Sequence, residues 1–206
     1  MQNKIIKLGV VLFGITAVTG LVLGAVQSIT SGPIAATRQR QKNDALATTL
    51  PGAKDFAPVA IEGDGGIITE IFAGSDGASQ IGYNFTLRPK GFGGLLTLVC
   101  GINNEGRVMD ISILESGETP GLGARASEPA FAGQFHEKLA EGDLEVTKTP
   151  PQNDVEIQAI SGATITSRAV TDAVNAARQY WSAHFGKSAP VPAADGKVPS
   201  DSEGAK

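Results

Sequence analysis

The sequence predicts an α+β protein, with an N-terminal transmembrane helix followed by one domain of antiparallel strands and flanking helices. Three observations carry that reading. No ionisable side chain occurs between Lys7 and Arg38 of the 206-residue chain. Over residues 67–114 short apolar runs alternate with turn-forming residues, the pattern of successive strands. Over residues 167–185 the apolar positions recur at three and four, the period of a helix with one buried face.

Within the charge-free stretch, residues 8–26 (LGVVLFGITAVTGLVLGAV) are almost continuously apolar. At about 1.5 Å per residue they span roughly 28 Å, close to the ~30 Å hydrocarbon core of a bilayer. Gln27, Ser28 and Thr30 form a polar exit. A cleaved signal peptide is the alternative, with Lys4 and Lys7 as its basic start, but its apolar region ordinarily runs about 7–15 residues. The longer run favours a retained helix. Gly20 and Gly24 make a small-xxx-small pair that suits packing on a neighbouring helix, although Gly is common in membrane helices generally. All 21 acidic residues lie beyond Thr30, and a long domain translocates largely regardless of charge. The expectation is therefore a short cytoplasmic N-terminus with the domain on the opposite side.

Residues 35–50 lack Gly and Pro, are rich in Ala, Gln, Arg and Lys, and suit a helix leaving the membrane until Pro51-Gly52 stops it. The strand-like runs are 67–72, 81–87, 95–102 and 107–114, separated by Ser75-Asp76-Gly77, Pro89-Lys90-Gly91 and Asn103-Asn104-Glu105-Gly106. LLTLVCGI and RVMDISIL, joined through NNEG, form the best hairpin in the chain. A Gly/Pro-rich loop at 118–123, a helix-like stretch at 129–139 and a strand-like run at 155–160 follow. The closing helix buries Val170, Ala173, Val174, Ala177 and Trp181. The divisions expected are a transmembrane helix at 1–30, a connecting helix at 31–52, the folded domain at 53–185 and a disordered tail at 186–206.

Composition excludes several function classes. With 17 Lys+Arg against 21 Asp+Glu and no basic cluster, nucleic acid is a poor partner. One Cys and two His leave no intramolecular disulfide and no Cys-rich metal centre, so redox chemistry would need an organic cofactor. Cys100, in an apolar run, reads as a buried small hydrophobe. Gly91-Phe92-Gly93-Gly94 lacks the Gly-Lys-Ser/Thr ending of a phosphate-binding P-loop.

The segment Ser161-Gly162-Ala163-Thr164-Ile165-Thr166-Ser167-Arg168 lies between a strand and the closing helix. Small residues before a helix N-terminus leave unpaired backbone N–H groups that can hold an anion such as a phosphate. The plainer reading is a strand-to-helix turn in which Thr166 or Ser167 caps the helix.

SGATITSRAV resembles the flavin-attachment motif of covalent FMN-binding domains, with Thr164 at the acceptor position. Further matches are Gly82-Tyr83, Gly91-Phe92-Gly93-Gly94, Gly106-Arg107-Val108 and Glu118-Thr119-Pro120-Gly121-Leu122-Gly123. A membrane helix followed by these blocks resembles the G subunits of Rnf electron-transport complexes, over residues 1–185. The resemblance implies FMN linked through its phosphate to the Thr164 hydroxyl, with Ser161, Gly162, Ala163 and the 118–123 loop (Glu118, Thr119, Pro120, Gly121, Leu122, Gly123) around it. It implies an electron-transfer subunit of an ion-translocating ferredoxin/NAD complex rather than a stand-alone enzyme, lying in a bacterial inner membrane with its domain on the periplasmic side. The partners implied are the other membrane subunits and, during maturation, a flavin transferase. Two alternatives stay open: the equivalent subunit of a sodium-pumping NADH:quinone reductase, which shares the motif, and a non-redox membrane-anchored assembly or binding module.

One position departs from the family. The motif usually carries Asp three residues before the Ser that opens the run, and this chain has Gln158 there.

Overall fold

A computed structural model describes residues 2–138 and 142–186. The tail expected at 186–206 therefore lies outside the described residues apart from Gly186, as does Leu139 at the end of the helix-like stretch. The chain divides into two units, Met1–Asn43 and Asp44–Lys206.

A single helix, α1 (Gln2–Thr49), carries both the apolar run and the Ala/Gln/Arg-rich stretch after it, with Pro33 inside it. Its Ile6–Thr49 portion is long and apolar enough to cross a membrane, reaching a mean hydropathy of 2.2. The hydroxyls of Thr16, Thr19 and Thr30 donate to carbonyls one turn back, which satisfies them without water.

In the second unit β1 (Asp55–Val59), β2 (Ile68–Ser75), β3 (Gln80–Leu87), β4 (Leu96–Asn103) and β5 (Val108–Ser116) form an antiparallel meander in chain order. The β4–β5 pair is the hairpin expected through NNEG, where Gly106 at φ 83° closes the turn and a Cβ would strike Trp181. Alternation along β3 and β4 gives the sheet two apolar faces. Phe85, Leu87, Leu98, Cys100 and Ile102 point into a cluster with Val170, Ala173, Val174 and Ala177 of α3 (Thr164–His184). On the other face Val99 meets Ala45 and Leu46, and Asn84 Nδ2–H donates to the Leu46 carbonyl at 3.0 Å. The end of α1 within this unit, from Asp44, is thus part of the domain core, with Ala45, Leu46 and Leu50 buried.

Several elements differ from expectation. β1 was not foreseen: DFAPV carries Pro and a charge, which suits an edge strand paired on one side only. The helix-like stretch is shorter, with α2 (Pro129–Ala132) passing into a 3-10 turn at Gly133–Phe135 and Lys138 bridging to Val108. β6 (Glu145–Thr147) pairs parallel with β7 (Glu156–Gln158), so the strand-like run is real but three residues long. Finally, α3 begins at Thr164, three residues before the expected start. Trp181 is only partly buried, whereas Tyr180 faces the core.

Candidate functional site

Three loops that are distant in sequence meet at the start of α3. After β7 the chain turns through Ser161 and Gly162, closed by the Ala163 N–H donating to the Ile160 carbonyl at 2.9 Å, with Gly162 at φ 78°. α3 then starts at Thr164 behind Ala163, which has no side-chain cap. The first intrahelical bond runs from Ser167 N–H to the Ala163 carbonyl, which leaves the amides of Thr164, Ile165 and Thr166 ahead of the ladder. The expectation that Thr166 or Ser167 caps the helix is corrected. Ser167 Oγ instead donates to the Ala163 carbonyl and accepts the Ile160 N–H, tying β7 to the first turn. Thr166 Oγ1 donates to Glu118 Oε2 at 3.0 Å.

Glu118 comes from the Gly/Pro-rich loop after β5, and only 7% of it is exposed. A buried carboxylate needs donors, and it has two, the Thr166 hydroxyl and the Gly93 N–H at 3.2 Å on Oε1. A Cβ on Gly91 would strike Oε1, and one on Gly123 would strike both Oε2 and Thr166 Oγ1. Two glycines therefore make the space this carboxylate occupies.

These segments line one cleft of about 440 Å³, within the range of small-molecule sites. Its walls are Phe92, Glu118, Thr119, Leu122 and Gly123 on one side and Gly162, Ala163, Thr164, Ile165 and Thr166 on the other. Phe92, Leu122 and Ile165 are large apolar side chains left exposed, at 73%, 44% and 56%. Such groups beside free amides suit a ligand with an anionic end and a flat apolar body. Thr164 is half-buried, and among the described residues its hydroxyl has no hydrogen-bond partner, whereas Thr166 is 1% exposed and committed to Glu118.

Of the residues singled out in the sequence, Gly162, Ala163, Thr164, Glu118, Thr119, Leu122 and Gly123 line the cleft. Ser161, Pro120 and Gly121 do not; they are exposed and shape the two turns, Gly121 at φ 79° in the turn that Leu122 N–H closes on the Thr119 carbonyl. Phe92, Ile165 and Thr166 are lining residues the sequence reading left out of the site. A signal for Phe92 was present, as an aromatic among three glycines has no core to join. At Gln158 the backbone is held by Gln134, whose Oε1 accepts the Gln158 N–H at 2.7 Å and whose Nε2 donates to the Gln158 carbonyl at 3.2 Å. Neither bond depends on the side chain at 158. Cys100 is fully buried, and burial pushes its thiol up to about 12.

A family model described as an FMN-binding domain matches residues 91–179, a span that contains every residue lining the cleft. The chain is 40% identical over 161 residues to the G subunit of the proton-translocating ferredoxin:NAD(+) oxidoreductase complex of Clostridium ljungdahlii, covering 78% of this chain and 82% of the relative. It is 35% identical over 190 residues to the G subunit of the Na(+)-translocating ferredoxin:NAD(+) oxidoreductase complex of Acetobacterium woodii, covering 86% and 91%. Among solved structures, the C subunit of the Na(+)-translocating NADH-quinone reductase of Parabacteroides distasonis has the same fold, with a TM-score of 0.51 at 22% identity over 66% of this chain and 79% of that one.

Proposed function

The chain belongs to the G-subunit family of ion-translocating ferredoxin:NAD(+) oxidoreductase complexes, and on that premise we propose that it holds FMN as a phosphoester on Thr164 and relays electrons between neighbouring redox centres of such a complex. The observation that carries the attachment is the contrast within one helical turn. Thr164 presents an unengaged, half-exposed hydroxyl in the cleft, while the Thr166 and Ser167 hydroxyls are buried and hydrogen-bonded.

Each neighbour has a role in this reading. The amides of Thr164, Ile165 and Thr166 take the charge of the phosphate, which the helix N-terminus stabilises by roughly 0.3–1 kcal/mol. Phe92, Leu122 and Ile165 offer apolar surface to the ring, and Gly162 lets the backbone approach the phosphate. When bound, FMN supplies a centre that takes up and releases electrons singly. Covalent attachment keeps the cofactor from being lost outside the cytoplasm, where the domain is placed in this reading; a reporter fused after Gly186 reads out that side. The partners are the other membrane subunits of an Rnf-type complex, with a flavin transferase acting once during maturation. The likeness to the NADH-quinone reductase protein reaches the fold alone, so the ferredoxin/NAD assignment is preferred.

The test is Thr164→Val, which keeps the β-branched shape and deletes the nucleophilic oxygen. Co-produced with a flavin transferase and magnesium, the wild-type chain is expected to carry flavin that survives denaturation, located on Thr164 by peptide mass spectrometry. The variant is expected to fold and carry none. Flavin on Thr166 or Ser161 would overturn the assignment to Thr164, and a colourless wild-type chain under the same conditions would leave the binding-module reading.

A further inference from the structure

Glu118 is the one ionisable side chain on the cleft wall among the described residues, and it is acidic. No lysine, arginine or histidine among them lines the cleft to offset it. Both of its oxygens accept hydrogen bonds, from the Thr166 hydroxyl and the Gly93 amide. The helix start beside it is attractive to anions, and the buried carboxylate opposes that attraction. Thr164, where the phosphate is attached in the reading above, is two positions from the threonine that Glu118 holds.

Resting on that reading, we propose that Glu118 sets the charge class of the ligand: the cleft accepts a flavin phosphodiester, which carries one negative charge, and rejects a flavin phosphomonoester, which carries nearly two at neutral pH. The three amides ahead of the α3 ladder, worth about half a unit of positive charge, favour one negative charge beside a carboxylate over two. The consequence is that free FMN does not occupy the cleft ahead of maturation. The flavin phosphate attached at Thr164 carries one negative charge fewer than free FMN, so the site holds the attached form and repels the free one. Glutamine at 118 removes the charge and keeps an oxygen for the Thr166 hydroxyl, while its amide nitrogen, a donor, then faces the Gly93 N–H.

The experiment uses the full chain in detergent with Thr164→Ala, which removes the acceptor and leaves room for an added methyl group. Binding of three flavins is measured by fluorescence: riboflavin, FMN, and the monoanionic methyl ester of FMN. The methyl ester is expected to bind roughly tenfold or more tighter than FMN, the size of effect one extra charge has near a buried carboxylate. Adding Glu118→Gln is expected to bring FMN to within about twofold of the methyl ester, each read relative to riboflavin on the same chain. Equal binding of FMN and its methyl ester to the Thr164→Ala chain would overturn the proposal, as would a gap that persists in the double variant. Binding by none of the three would overturn it too, because riboflavin has no charge to be rejected. If the double variant does not fold, the comparison of FMN with its methyl ester on Thr164→Ala alone decides. Failure of the underlying reading shows separately, as absence of covalent flavin on wild-type Thr164.

Discussion

Thr166 and Cys100 are buried polar side chains whose environments fix what substitution does. The Thr166 hydroxyl is one of two donors to the Glu118 carboxylate, so Thr166→Val keeps the shape of the helix start and leaves a buried charge with the Gly93 amide alone. Removing one partner of a buried charged group costs about 1–3 kcal/mol. Thr166→Val is therefore expected to lower stability by that amount in urea denaturation while the flavin proposed on Thr164 is retained. A loss of flavin with unchanged stability would reverse the roles assigned to the two threonines. Cys100 answers to pH. Its thiol rises from an ordinary 9.0 to about 12 because burial disfavours the thiolate. Between those values the folded chain keeps a proton that the unfolded chain releases, so stability is present in full below about pH 9 and falls as pH rises toward 12. The expected result is an alkaline decline in melting temperature that is shallower in Cys100→Ala, together with resistance of native Cys100 to alkylation at pH 8.

Among the elements, the end of α1 shows how a helix terminus becomes part of a sheet's core. Thr49 Oγ1 lies 2.7 Å from the Ala45 carbonyl and 2.9 Å from Asn84 Oδ1, and the Thr49 carbonyl packs directly over Gly101 in β4. A Cβ at 101 would overlap that carbonyl, which is backbone and cannot rotate away. Gly101→Ala is expected to cost about 1–3 kcal/mol through forced displacement of the helix end, and limited proteolysis near Pro51 should accelerate. Unchanged proteolysis would show that the helix end is not held by this contact. Docking of this kind was not legible in the sequence. Pro51-Gly52 announced where the helix stops, but nothing local says that Ala45 and Leu46 meet Val99, or that Leu50 meets Gly74, from 24 to 54 positions on. By contrast β2 to β5 were legible, because alternation and turn residues act over a few positions. β1 and β6 were missed since one is an edge strand with Pro58 and the other is three residues long. In the site, the two glycine-rich motifs could be read from their residues. The bond from Thr166 to Glu118 spans 48 positions, and no local rule distinguishes it from a helix cap.

For the whole molecule, the two units differ in what they bury, and this predicts where the chain can be cut. In the first unit the apolar window of α1 has no buried residue, and Leu8, Leu12, Phe13, Leu21 and Leu23 are exposed, as expected of surface meant for lipid. Removing residues 2–34 takes away that surface and none of the domain core, since the buried residues begin at Ala45. A chain starting at residue 35 is therefore expected to be soluble without detergent, folded, and competent for flavin attachment at Thr164. Starting at residue 53 instead removes Ala45, Leu46 and Leu50, and leaves Asn84 buried without Thr49 and the Leu46 carbonyl. Fully burying a leucine is worth about 1.5–3 kcal/mol, so two leucines and an orphaned amide amount to several kcal/mol, a large part of the stability of an ordinary domain. The shorter chain is expected to aggregate or to melt well below the longer one, with Val99, Phe56 and Phe72 open to solvent on the uncovered face of the sheet. Circular dichroism melts of the two truncations decide the point. Equal melting temperatures would mean that residues 44–50 contribute nothing to the domain, and that the folded unit begins after Pro51 rather than at Asp44.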